Sequence, residues 1–235
     1  AWLNLSAVDD TVQSRSIAAD GTLGTIQTRS AVGPAGQPAA DIDIALGEDG
    51  TAGLTWIKYN GSKWVAQAVK VAADDSSGTI HNLSDGTLSA GPPAIGALPP
   101  TVDGDPYGYR ILWPQGQGTG LSSNVGNRDI GPDDTITDEV LVYSTGPADA
   151  PAVQNDSCQD AFDLCITFGV DGAMNAFWVC YRHAIDATTF EEFSNWTAQW
   201  LRVDQGMTVV EGINSTDASP TSSTAPYKIS ALASG

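Results

Sequence analysis

The chain is written in short apolar runs separated by turn residues. "IDIALGEDGTAGLTWIKY" (42–59) reads as strand, Asp-Gly turn, strand. "WVAQAVKV" (64–71) supplies a third run. The same pattern returns as "LCITFGVDGAMNAFWVCY" (164–181) followed by "WTAQWLRV" (196–203). The two hairpins align without a gap: Ile44 with Ile166, Gly47 with Gly169, Asp49-Gly50 with Asp171-Gly172, Trp56 with Trp178, Tyr59 with Tyr181. "LTWIKY" and "AFWVCY" are apolar almost throughout, which predicts strands covered on both faces.

Two more copies complete the pattern. "RSIAADGTLGTIQTRS" (15–30) matches "VKVAADDSSGTIHNLS" (69–84) at an offset of 54, and that offset sets Trp2 on Trp56 and Gln13 on Gln67. A degraded copy runs through "PPAIGALPPTVDGDPYGYRILWP" (92–114) and "DEVLVYSTG" (138–146), with an Asp103-Gly104 turn, Trp113, and prolines that weaken its first strand. Repeats then start near 41, 95, 163 and 227. This spacing predicts an all-β fold: a single domain over 1–235, a small β-propeller of about four antiparallel four-stranded blades. The chain enters on the second strand of its repeat. "PYKISALASG" (226–235) is the expected first strand, so that one blade is built from both termini, completed by 1–33. The closing strand comes from the same chain or from a neighbouring subunit.

The stretch "DGTLGTIQTRSAVGPAGQPAADIDIALGEDGTAGLTW" (20–56) resembles the blade-type repeats of secreted bacterial proteins, in which D-G-T-L-G-x-x-Q precedes D-x-x-x-A-x-x-x-D-G-x-A-x-x-x-W. The layout is also similar to that of propeller lectins. The resemblance covers 9–84 well and 160–203 fairly. It implies a propeller-like fold and an extracellular setting, and it transfers no catalytic residue.

Composition narrows the functional classes. Of the 235 residues only 16% are charged, and Asp (23) far outnumbers Glu (5); the net charge is -18. Such a charge repels nucleic acid and anionic membrane surfaces. Most of the Asp excess is expected in turns. No apolar run is long enough for a membrane span, so membrane insertion is not expected. Six of nine asparagines stand in N-x-S/T: Asn4, Asn60, Asn82, Asn155, Asn195 and Asn214. Chance would give roughly two. These six are the candidate glycosylation sites, and they place the chain outside the cell or on its surface.

The three cysteines are Cys158, Cys165 and Cys180. If a four-residue loop at 171–174 closes the hairpin, Cys165 stands opposite Cys180, and a disulfide between them is expected. Cys158 is the rival partner. In the first copy the same two positions hold Asp43 and Lys58, a candidate ion pair.

Chemistry is sparse. The two histidines, His81 and His183, read as surface residues, and no G-x-S-x-G elbow is present. Asp103 and Asp105 in "VDGDP" are candidate calcium ligands, as are the acids of "RDIGPDDTITDE" (128–139), although neither stretch is an EF-hand loop. No other cofactor is expected. Trp64 and Trp196 recur near loops and are candidate shelves for a sugar ring. The expected function is therefore non-enzymatic: a secreted structural or adhesive glycoprotein, whose partner is itself in a filament or coat. The alternative is a propeller lectin binding cell-surface glycans, and a glycoside hydrolase stands third.

Overall fold

The computed structural model describes residues 1–5, 10–30, 37–100, 105–116, 124–144, 160–169, 172–185, 192–204 and 209–217. Within these, the side chains of 143–144, 160–163, 179–185, 192–199 and 209–217 are not described. The described residues form fifteen strands and no helix. The scarcity of Lys and Glu and the abundance of Gly, Pro and Asp account for this: few segments favour a helix, and turns recur every few residues.

The strands make four antiparallel sheets. The first holds β1 (Trp2–Asn4), β2 (Thr11–Ser14) and β3 (Gln27–Thr28), in that order. The second runs β4 (Ala39–Leu46), β5 (Ala52–Tyr59), β6 (Trp64–Val71), β7 (His81–Asn82). The third orders β8 (Ala94–Leu98), β9 (Gly108–Gln115), β10 (Asn124–Ile130) and β11 (Val140–Ser144) as simple neighbours. The fourth does the same with β12 (Asp160–Phe168), β13 (Met174–Ile185), β14 (Glu192–Val203) and β15 (Val209–Asp217). Sheets two to four begin within a few residues of the expected repeat starts at 41, 95 and 163. The expected start near 227 and the strand 226–235 lie outside the described residues, as does the Asp103-Gly104 turn.

The chain divides into two compact units, one of 1–111 with 127–139, the other of 112–126 with 140–235. The first unit packs Val12, Ala39, Leu54, Trp56 and Val69 into one apolar core, with Leu3 and Ile42 against it. The second packs Leu112, Val125, Met174, Trp178 and Leu201, with Leu164 and Ile166 against them.

The repeat seen in sequence is repeated in register. In the β4–β5 hairpin Ala39 pairs with Lys58 and Asp43 with Thr55, with a bulge between. In the β12–β13 hairpin Ala161 pairs with Cys180 and Cys165 with Phe177, again with a bulge. Every pair is shifted by the same 122 positions (39 to 161, 58 to 180). Asp41 sits in the first bulge with φ of 51°, a left-handed conformation that Asp tolerates better than most residues. Asp163, its sequence counterpart, lies within the second bulge. A second register feature occurs three times: Trp2 opposite Gln13, Trp56 opposite Gln67, Trp178 opposite Gln199.

The closure of the turn, rather than the bulge, overturns the expected cysteine alignment. The second-copy turn is closed by the Gly169 N–H donating to the Ala173 carbonyl, so Cys165 stands opposite Phe177 and Cys180 opposite Ala161. Three residues along a strand separate the two positions by about 10 Å, too far for the Cα spacing of a disulfide. The same offset separates Asp43 from Lys58 in the first copy, so the candidate ion pair does not face itself either. Asp43 accepts from the N–H groups of Ile44 and Ile95, and the Lys58 ammonium donates to the Asp10 carbonyl at 3.4 Å.

Candidate functional site

The first unit is built around one small device, a five-residue turn. It spans Ala18–Thr22, Gly47–Thr51, Ala72–Ser76 and Gly131–Thr135. In each, the first residue's carbonyl accepts from the fourth residue's N–H and its own N–H donates to the fifth residue's carbonyl. The third residue is always Asp, and its carboxylate accepts from the N–H of the residue two further on: Asp20 from Thr22, Asp49 from Thr51, Asp74 from Ser76, Asp133 from Thr135. Asp85 makes the same closure with Thr87. These bonds hold the five carboxyls below the usual carboxylate range. At Asp49 desolvation is the largest single influence and acts upward; the bonds from Thr51 and Tyr107 and the Lys70 charge together outweigh it. Five of the chain's 23 aspartates are thus engaged in turn closure.

The fourth residue of the turn must adopt positive φ. It is Gly21 (84°) and Gly50 (80°) in two copies but Asp75 (70°) and Asp134 (66°) in the others. The exception has a use, because both aspartates reach to the preceding sheet. Asp75 meets Arg29, which also donates through Nε to Ser14 Oγ (2.7 Å) and through Nη1 to the Asp75 carbonyl (3.0 Å) and Ser77 Oγ (2.5 Å). Asp134 accepts from the Thr79 N–H at 2.7 Å and lies 3.3 Å from His81 Nε2. His81 is therefore part of a sheet-to-sheet contact, not the surface residue expected from sequence.

The two junctions are homologous. Ser16, Gly24, Thr25 and Gln27 of the first sheet correspond to Lys70, Gly78, Thr79 and His81 of the second at the offset of 54. At the second junction Lys70 spans the gap, donating to the carbonyls of Tyr107 (2.9 Å) and Pro132 (2.8 Å). At the first, short Ser16 replaces it, and Arg29 draws Asp75 aside. The space left is an open groove of about 510 Å³ lined by Ser16, Thr25, Gln27, Arg29, Asp74 and Asp75 among others. Its walls offer hydroxyl, amide, guanidinium and carboxylate groups, and its lining includes no His, Cys or aromatic ring. Such a groove can hydrogen-bond a hydroxylated molecule, and within it Ser16 Oγ donates to Asp75 Oδ2 at 3.4 Å.

Further contacts join the second and third sheets. Tyr107 N–H donates to Asp49 Oδ2 at 3.0 Å, and Tyr109 Oη lies 2.7 Å from Thr51 Oγ1. Tyr109 is fully buried against Gly53, where an added Cβ would fall 2.5 Å from the ring. Burial raises the Tyr109 hydroxyl above its ordinary range.

The residues expected from sequence fall in several places. Trp64 is half-buried at the start of β6, opposite Tyr59, with ring centroids 5.5 Å apart and planes tilted by 58°. Trp196 stands opposite Tyr181 in the same register. Trp64 does not line the groove. Asn4, Asn60 and Asn82 are exposed. Asn60 Oδ1 caps its loop by accepting from the N–H groups of Ser62 and Lys63, and Asn82 Oδ1 accepts from Gln67 at 2.7 Å. Asn195 lies on β14 opposite Arg182 and Asn214 on β15 opposite Trp200. Asn155, Cys158 and Asp103 lie outside the described residues; Asp105 is exposed. In the acidic stretch 128–139, Asp129 takes a two-pronged pair with Arg110 (2.8 Å each), while Asp133 and Asp134 serve the turn and the junction. No group of three or more His, Cys, Asp or Glu suited to a metal occurs among the described residues.

The junction residues Arg29, Asp75 and Asp134 escape notice in the sequence. The signal available was the Asp-Asp in "AADDS" and "GPDDT" where "AADGT" has Asp-Gly, since a left-handed Asp needs a reason to be there.

No family model matches this chain, and no curated protein matches it. Among solved structures it is similar to the acylaminoacyl peptidase of Pyrococcus horikoshii (orthorhombic crystal form), with 12% identity and a TM-score of 0.41. That match covers 77% of this chain and 25% of the peptidase, so the chain corresponds to about a quarter of that protein's length.

Proposed function

We propose that this chain is a non-enzymatic, extracellular, N-glycosylated structural or adhesive module, its four sheets the blades of a small propeller-like repeat. It works as a repeated subunit of a filament or surface coat. The observation that carries this reading is the first sheet, which holds three strands among the described residues. Trp2 occupies the register position of Trp56 and Trp178, yet it lies on the sheet's edge strand and is 38% exposed, whereas the other two are fully buried. In the second and fourth sheets that strand has a neighbour on its outer side, β4 or β12. A strand added beside β1, from residues 226–235 of the same chain or of another, would give the first sheet four strands. Exposed Asn4, Asn60 and Asn82 leave room for glycans.

Intact mass spectrometry and negative-stain microscopy of material from the native source test this together. Expected are hexose-spaced masses above the 24.4 kDa polypeptide and particles larger than one chain. An unmodified mass with a uniform monomer at high concentration would overturn the reading.

A second reading, carbohydrate binding, has the Tyr59–Trp64 pair in its favour. A half-buried tilted aromatic pair at a hairpin end presents an apolar face on which a sugar ring can stack. Glycan-array binding lost in Trp64→Ala would support it, and an array with no signal would dismiss it.

A further inference from the structure

The turn-bearing hairpins of the first three sheets differ in one respect that bears on assembly. Ile17, Val71 and Ile130 are equivalent: each makes the isolated bridge that flanks its turn, to Leu23, Ser77 and Ile136. Val71 is 6% exposed and Ile130 fully buried, while Ile17 is 71% exposed. Leu23 and Ile26 beside it are about half exposed. The turns following Val71 and Ile130 dock on the outer strand of the preceding sheet, through Asp75 and Asp134. Among the described residues no hydrogen bond joins Ile17–Leu23 to another sheet. The first sheet thus carries the apolar side of a junction made twice within its own unit, and there that side is exposed.

We propose that the face formed by Ile17, Leu23 and Ile26 docks a second copy of this chain. The first sheet of one copy lies against the outer strand of the last sheet (β12–β15) of the next, repeating the step that relates the second sheet to the first. The occupant is another copy because the interface continues one the chain already makes with itself: a sheet of the same kind fits the turn, the flanking strand and the apolar ladder together. The contact is head-to-tail, so it propagates unless the rotation closes. With -18 net charge per copy, association strengthens with salt as repulsion is screened. This inference rests on the assembling-module reading and names its surface.

The test is sedimentation velocity on the full chain across concentration and salt, comparing wild type, Ile17→Asp/Leu23→Asp, and Leu46→Asp as a control. Leu46 is equally exposed at 71% but lies on the second sheet. Expected is concentration-dependent association that shifts at least tenfold to higher concentration in the double variant and stays put in the control, with melting temperatures unchanged. Association that survives the double variant would overturn this surface and leave the module reading standing. A wild type monomeric at every concentration and salt would overturn both. A double variant that melts earlier without any change in sedimentation would show the face covered by its own chain, and would also overturn the proposal.

Discussion

The Arg29 guanidinium and the Asp75 carboxylate pair across two sheets, with the Arg29 side chain 1% exposed and the Asp75 side chain at 20%. Arg29 fills four donor contacts there, to Ser14, Ser77 and Asp75. Removing Asp75 strands a buried cation, and removing Arg29 frees a carboxylate that water can still reach. Breaking a fully buried pair costs ~3–5 kcal/mol; solvent access to Asp75 lowers that to about 2–4 kcal/mol for Arg29→Met. Asp75→Gly is expected to lose less than Asp75→Ala, by about 1 kcal/mol, because Gly relieves the left-handed φ of 70° that Ala would aggravate. Urea denaturation of the three variants checks the ranking, and Asp75→Ala as stable as Asp75→Gly would refute the strain argument.

Close approach at the next junction makes a second prediction. At Gly53 an added methyl would meet Tyr109 at 2.5 Å and Ile95 at 2.7 Å, both on the neighbouring sheet and both buried. The ring cannot swing away without losing its bond to Thr51. Gly53→Ala should therefore destabilise by about 1–3 kcal/mol, although Ala suits a strand better than Gly. Gly53→Ala with Tyr109→Phe would recover little, since the ring itself is the obstacle. Thermal melts of both variants decide it.

How far the sequence foretold these features depends on their range. The hairpins were legible because period and turn chemistry are local: Gly47, Asp49, Gly50 and Trp56 announce their counterparts 122 positions on. The sheet boundaries near 39, 94 and 160 follow from that. The Cys165 alignment failed because the turn closes between Gly169 and Ala173 and sets Phe168 opposite Met174, whereas the expected four-residue loop at 171–174 would have set the pairing three positions further on. The junctions were hidden because they join residues on different sheets. Nothing local says that Arg29 will find Asp75, or that His81 will find Asp134. The groove was invisible for the same reason, since it exists through the contrast between Ser16 and Lys70.

The three Trp–Gln register pairs allow an internal comparison. Trp56 is fully buried, and its Nε1 donates to Gln67 Oε1 at 3.0 Å, while Gln67 Nε2 donates onward to Asn82. Trp56→Ala should cost about 3–5 kcal/mol through lost burial and a cavity. Trp2→Ala at the matching position should cost less than half of that in the isolated chain, because over a third of Trp2 already faces water. In assembled material the difference should shrink, because the proposed strand beside β1 would bury the ring. Equal losses in dilute monomer, measured by chemical denaturation, would show that Trp2 is already covered.

Acid should weaken the fold through its turns. Asp20, Asp49, Asp74, Asp85 and Asp133 all have carboxyls held below the usual carboxylate range. A depressed carboxyl stabilises the folded chain fully above its unfolded pKa, and that contribution drains away as pH falls through the folded value. Asp43 works in the opposite sense. Burial raises its carboxyl, against the bonds from Ile95 and Ile44, so its charge opposes folding at neutral pH and that cost is lifted as the group protonates. Five sites against one predict a melting temperature that falls between about pH 4 and pH 2. Asp74→Asn/Asp133→Asn keeps a side-chain acceptor for each turn but removes two titrating groups, and should make the acid decline shallower. Asp43→Asn should make it no shallower, because the group it removes gains stability on protonation. Melting curves at pH 6, 4, 3 and 2, at fixed ionic strength, measure all three slopes; a double variant as acid-sensitive as wild type would show that the turns are not where acid acts.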